Sequence, residues 1–146
     1  LNYKEISHAL SKSQTSIYGR IKRMEKDGVI KRYMAILDHT QINRSCIVFT
    51  HVSLKDHTKE SMNTFEKGII KFDEVMECYH MTGGYDFILR VAVSDMKYYH
   101  NWLMNDLFPI VPLAHVESTL VMKEAKMETA YKLDIQEKAA KKTHSA

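Results

Sequence analysis

Residues 14–23 read Gln-Thr-Ser-Ile-Tyr-Gly-Arg-Ile-Lys-Arg, a run suited to gripping a polyanion. Gln14, Thr15, Ser16 and Tyr18 carry groups that bond base edges or phosphates. Arg20, Lys22 and Arg23 neutralise phosphates or read guanine. Gly19 costs roughly 1 kcal/mol inside a helix, and close approach to a DNA backbone is one reason to keep it. The surrounding charge agrees. Residues 1–38 carry a net +4, residues 39–131 a net −3 and residues 132–146 a net +2. A basic head on a slightly acidic body points the head at a polyanion. A solvated polar face on a small helical pair stays open as the alternative.

Other chemistries find little to stand on. The eight histidines (His8, His39, His51, His57, His80, His100, His115 and His144) include no pair at i, i+3 or i+4, and no H-E-x-x-H or Cys/His cluster occurs. Phosphate-loop, nucleophile-elbow and dinucleotide fingerprints do not occur either. No catalytic residue, metal ligand or cofactor is therefore expected. Cys46 and Cys78 form no C-x-x-C pair, so a reducing cytoplasm is the expected compartment. No apolar run reaches membrane-spanning length.

The head must position its basic run. Asn2 and Glu5 fit a capping box opening a first helix with Ile6, Ala9 and Leu10 at helical spacing. Ser11 and Lys12 break the pattern, and Ser13 is a good N-cap for a second helix. Ile17, Ile21 and Met24 form its apolar stripe, and Gly28 ends it as a C′ glycine. Residues 29–37, Val-Ile-Lys-Arg-Tyr-Met-Ala-Ile-Leu, read as an exit strand.

After a polar linker at 39–44, residues 45–131 form a second unit. Its expected order is a strand over 45–54, a helix over 56–71 with Met62, Phe65 and Ile69 inward, and a strand over 74–81. A Thr82-Gly83-Gly84 turn, a strand over 85–93, and a helix from Asp95 to about Phe108 with Met96, Tyr99, Leu103 and Leu107 inward follow. A strand over 115–122 closes the unit. This βαββαβ order is ferredoxin-like, so the chain is α+β. Residues 132–146 form a charged tail, frayed helix or disordered. Residues 46–49 and 87–89 are apolar on both strand phases, which implies that both sheet faces are covered, the second by another copy in a two-fold dimer.

The residues just named also resemble a family. Glu5-Ile6-Ser7, Ser13, Ile17, Arg20-Ile21-Lys22-Arg23-Met24-Glu25 and Gly28-Val29-Ile30 resemble the helix-turn-helix of the Lrp/AsnC transcription regulators. The stretch from Glu77 to Leu89, Glu-Cys-Tyr-His-Met-Thr-Gly-Gly-Tyr-Asp-Phe-Ile-Leu, is similar to that family's E-C-x-x-x-T-G-x-Y-D-Y-L-L segment. Ser94-Asp95-Met96 and Ser118-Thr119-Leu120-Val121-Met122-Lys123 fit as well. The chain departs from the pattern at five places. The family's first helix has no counterpart, so the sequence is expected to be a fragment or to have an incomplete head. Ser11 and Lys12 replace Gly and Leu in the turn. Gln14 replaces a proline, and Arg32 replaces the wing glycine. Leu113 replaces the glycine after Pro112.

The resemblance implies a regulator that binds double-stranded DNA, dimerises through the sheet and assembles to an octamer. It further implies an amino acid effector held between dimers near Thr82, Gly83, Gly84, Tyr85 and Asp86. Glycine amides there suit a carboxylate, and Asp86 suits an α-ammonium group. His80, Met81 and Met96 are expected to wall the effector's side chain, with Ser118 and Thr119 of the fourth strand contributed by a neighbouring subunit. A plain hairpin capped by Asp86 is the structural alternative. Two other functions are open: an enzyme resembling the sirohaem decarboxylases on the same architecture, and a ligand-sensing dimer without DNA binding.

Overall fold

Asn2 opens the chain's first helix, α1 (Tyr3–Ala9), in a computed structural model that describes residues 2–131. Its side chain accepts from the Lys4 and Glu5 amides at 3.0 and 3.4 Å. No side chain of α1 is buried, and Leu10 is 60% exposed. Ser11 turns the chain with a φ of 49°. That conformation disfavours a Cβ. It is braced by the Ser7 hydroxyl donating to the Lys12 carbonyl at 2.7 Å. Helix α2 (Gln14–Lys26) starts at Ser13, whose hydroxyl accepts from the Ser16 amide. Ile17 and Ile21 are buried, while Met24 sits at the margin of the stripe, 37% exposed. Gly28, at φ 73°, ends the helix, and its amide donates to the Glu25 carbonyl.

The exit strand expected over 29–37 does not form. These residues join no ladder, and Val29, Met34 and Ile36 stand exposed. Strand-prone residues become a strand only when another strand takes their backbone bonds. Among the described residues no strand pairs with residues 29–37. Tyr33 instead donates its hydroxyl to Glu25.

The chain divides into two units at Asp38/His39. In the second, residues 39–44 are a turn packed onto the sheet. The Arg44 amide donates to the His39 carbonyl, and its guanidinium donates to the Ala92 carbonyl at 2.9 Å. The elements that follow are β1 (Cys46–Leu54), α3 (Lys59–Ile69), β2 (Val75–His80), β3 (Phe87–Val93), α4 (Met96–Trp102) and β4 (Leu113–Leu120). A wider π-type turn, Leu103–Leu107, extends α4, with Leu107 buried. The strands run antiparallel in the order β2-β3-β1-β4, the ferredoxin-like arrangement.

Strand periodicity sorts the side chains by face. Val48, Val52 and Leu54 of β1 and Phe87, Leu89, Val91 and Val93 of β3 pack with Phe65, Ile69, Tyr99, Trp102 and Leu107 in one core. One polar group enters it: Thr50 is fully buried, and its hydroxyl bonds the Tyr99 hydroxyl at 2.7 Å. Tyr99 also bonds the Ser118 hydroxyl at 2.7 Å, so α4 is pinned to β1 and β4 together. Desolvation raises the Tyr99 phenol above its ordinary range, so it stays a neutral donor.

On the opposite face, part of the expected cover comes from the chain itself. Past β4 the Val121 amide donates to the Ile47 carbonyl. Glu124 accepts from Arg90 at 3.1 Å and meets His39 at 2.8 Å, and these bonds hold its carboxyl below the ordinary range. Ile47 and Ala92 are thereby 3% exposed. Phe49 and Ile88 on the same face stay half-buried. The charged tail expected over 132–146 lies outside the described residues.

Candidate functional site

In the head, helix periodicity places Thr15, Gly19, Lys22 and Lys26 in a stripe opposite the buried Ile17 and Ile21. All four are exposed. Lys26 joins the sequence-predicted residues on this stripe, as the spacing of 15, 19, 22 and 26 requires. A Cβ at Gly19 would meet nothing within 4 Å, so nothing in its own unit requires glycine there. Gln14 and Ser16 flank the stripe in the first turn. Tyr18 packs edge-on against Tyr3 with ring centroids 5.7 Å apart, and the Lys22 ammonium lies 5.7 Å from its ring. Lys22 also pairs with Glu25 at 2.7 Å, and Arg23 with Asp27 at 3.5 Å. Arg20 makes no ion pair among the described residues and is the least committed cation of the three.

In the second unit the residues 82–85 turn the chain from β2 to β3. Gly83, at φ 123°, holds a conformation that other residues rarely adopt. The Met81 amide donates to the Asp86 carbonyl and the Asp86 amide to the Val52 carbonyl, closing the turn against β1. Among the described residues the amides of Gly83, Gly84 and Tyr85 donate to no protein acceptor. Beside them stands the Asp86 carboxylate, 16% exposed. Its Oδ2 accepts from the Leu54 amide at 2.7 Å and lies 3.2 Å from His57 Nε2. Ser53 donates to the Gly84 carbonyl. Tyr85 donates its hydroxyl to Glu117 and lies between the rings of His51 and His115. The Glu117 carboxylate, as acceptor, raises the Tyr85 phenol above its ordinary range.

Ser53, Leu54 and His57 are the additions to the sequence-read site. Only His57 is a side chain of catalytic type, and its place at the entry to α3, 29 residues from Asp86 by chain count, gave no local signal. Asp86 also does structural work, since it satisfies the amide of the fully buried Leu54. Asp86→Ala is therefore expected to lower stability by about 1–3 kcal/mol through the orphaned amide. Asp86→Asn, which keeps an acceptor, should retain most of it. Urea titration of both variants checks this.

The structure does not gather every expected site residue. Met96 contacts Cys46, S to S 3.6 Å, and is 45% exposed rather than inward. Cys46 pairs with Val93, whereas the turn sits beside Val52. Six residues of strand, about 20 Å, separate them, so Met96 is not part of this chain's turn site. Ser118 pairs with Thr50 and bonds the Tyr99 hydroxyl on the helix-covered side of the sheet, and it is itself exposed. Thr119 lies on the open face opposite Phe49. His80 stacks on Phe87 and sits 3.6 Å from Glu66, along a cleft of about 360 Å³ that also meets Cys78. Burial pushes the Cys78 thiol up to about 11. Met81 is exposed beside the turn. No helix among the described residues is long and apolar enough to cross a membrane.

Known proteins share both halves of this arrangement. A family profile described as the Lrp/AsnC ligand binding domain matches residues 47–131, and one described as winged helix-turn-helix DNA-binding matches residues 1–31. The Bkd operon transcriptional regulator of Pseudomonas aeruginosa is 32% identical over 130 residues, 89% of this chain and 85% of that protein. The crystal structure of an AsnC family transcriptional regulator from Agrobacterium tumefaciens superposes with a TM-score of 0.87 at 31% identity, covering 93% of this chain and 88% of that one. A Neisseria meningitidis transcriptional regulator, solved as its L-methionine complex, also gives a TM-score of 0.87, at 26% identity over 92% of this chain and 86% of that one. A ligand-binding profile over most of the ferredoxin-like unit, a DNA-binding profile over the head and likeness to a named regulator over 89% of this chain agree: this chain belongs to the Lrp/AsnC family of transcription regulators.

Proposed function

We propose that this chain binds duplex DNA through α2 and couples that binding to an amino acid held at the turn from Thr82 to Asp86. The observation that carries the reading is the pairing, on one turn, of unused Gly83, Gly84 and Tyr85 amides with the Asp86 carboxylate. An amino acid presents a carboxylate and an ammonium group close together, and this turn carries both donors and an acceptor within four residues. The L-methionine complex of the similar Neisseria regulator supports the same ligand class. Met81 and His80 flank the turn as candidate walls for the side chain, and Thr119 remains available from the open face. On the DNA side, Thr15, Gly19, Lys22 and Lys26 would face the groove, Gln14 and Ser16 would reach base edges from the first turn, and Arg20 and Arg23 would meet phosphates. Such a protein works in the cytoplasm, where DNA is, and acts as a regulator rather than an enzyme.

The test is a titration of duplex DNA by fluorescence anisotropy with and without each proteinogenic amino acid, alongside thermal melts. A ligand at about 100 times its Kd stabilises the folded state by about 2.7 kcal/mol, so binding is visible in the melt. If the protein binds no DNA at low salt the reading fails.

Assembly completes the proposal. The open sheet face, with Phe49 and Ile88 half-buried, would pair with a second copy, and dimers would join into an octamer. Val48 is 0% exposed on the helix-covered face and Phe49 points the other way, which supports the Phe49 phase as the one that meets a partner. Phe49→Lys sets a cation directly opposite Arg90 in the ladder. It is expected to convert the dimer to monomer at micromolar concentration in light scattering while the monomer stays folded. An unchanged mass would remove this face as the interface.

A further inference from the structure

We infer that His57 is a built-in competitor for the effector's ammonium group at Asp86, so that amino acid binding by this chain expels a proton from His57. The inference rests on the effector reading above. Asp86 Oδ2 is anchored by the Leu54 amide at 2.7 Å, and displacing it would leave the amide of a fully buried residue unpaired. The exchangeable partner is His57, whose Nε2 lies 3.2 Å away on the same oxygen. The carboxylate is 16% exposed and the imidazole 64%, so the ring stands on the solvent side of the group it covers. An ammonium group arriving at Asp86 comes from that same side.

Among the described residues the nearby carboxylates hold other partners. The neighbouring carboxylate, Asp56, is committed to its own loop: it accepts from the Thr58 amide and hydroxyl and from the Ser61 hydroxyl at 2.9–3.0 Å. Those bonds hold its carboxyl below the ordinary range, with His57 adding a smaller pull. Across the turn Glu117 is occupied by Tyr85, with His115 at 4.0 Å. Lys55 precedes the loop, and Lys59 and Glu60 open α3 behind it. A protonated His57 and the effector's ammonium group would compete for the same Asp86 carboxylate, one of whose oxygens the Leu54 amide already holds. Histidine is the side chain whose charge changes between about pH 5 and 8. The linkage follows in sign: low pH favours the His57–Asp86 pair and opposes the effector, and rising pH releases Asp86 to it. A cell acidified within that range would see its effector signal weaken at unchanged amino acid concentration.

The test is isothermal calorimetry on the full chain with L-methionine and then each other proteinogenic amino acid, at about pH 5.5 and about pH 8. Binding should tighten roughly five- to tenfold between the two, the lower part of the usual range for coupled sites. Near neutrality the apparent enthalpy should differ between buffers of unlike ionisation enthalpy, reporting the released proton. His57→Gln keeps the size and removes the charge at an exposed position, so the fold should melt as before. In that variant binding at the lower pH should tighten to the level at the higher pH, and the buffer dependence should vanish. A flat wild-type profile, or a His57→Gln protein with the full wild-type slope, overturns the inference while leaving the effector reading standing. If no amino acid binds either protein at either pH, the effector reading itself falls and this inference with it.

Discussion

Replacing Arg20 and Arg23 together with alanine is expected to weaken binding to any duplex DNA by roughly fiftyfold at about 0.1 M salt, since each phosphate contact contributes about 0.9 to the slope of log affinity against log salt. The slope itself should fall by about 2 in magnitude. Arg20 should account for the larger share. It has no ion-pair partner among the described residues, whereas Arg23 lies 3.5 Å from Asp27 and gives up that contact to reach a phosphate. The Arg23–Asp27 pair is 83% and 54% exposed, so the difference is small. Anisotropy on a mixed-sequence duplex over a salt series measures both quantities. If one of the two arginines reads a guanine, its single variant should also relax preference at one base pair by roughly 1–3 kcal/mol. A double variant with wild-type affinity and slope would move the DNA contact off this face of α2.

Phe65→Ala is expected to cost the second unit about 3–5 kcal/mol. Phe65 is fully buried, and its ring packs against Phe87 with centroids 4.6 Å apart. Against a total of about 5–15 kcal/mol for a domain, that loss brings the unit near unfolding at 37 °C. Guanidinium titration measures it. Because Phe87 follows Asp86 directly, the same cavity loosens the end of β3 that carries the effector carboxylate. Amino-acid-dependent stabilisation should weaken in this variant even where the unit remains folded. Phe65→Leu, which refills part of the cavity, should recover much of both.

The two helices of the head were legible from residue types, because caps and stripes are local: Asn2 and Ser13 bond amides two or three residues on, and Gly28 takes the conformation that only a glycine takes easily. The βαββαβ order was legible for a similar reason, since alternation and helical spacing are written along each segment. Residues 29–37 show where local information ends. They are as strand-prone as β3, yet a strand exists only where a second backbone accepts its bonds, and that is a property of the assembled sheet. The turn from Thr82 to Asp86 could be read as a motif, but not the double duty of Asp86. Its bond to the Leu54 amide and its meeting with His57 depend on β1 and the entry to α3 folding back beside β3. Met96 was placed with the turn because both lay in matching segments; antiparallel pairing sends them to opposite ends of the sheet. Sequence by itself determined the elements, their order and the chemistry each could carry. The tertiary structure decided which of those groups meet, because strand register and face, not chain distance, set the few ångströms over which a carboxylate, an amide and an imidazole act on one another.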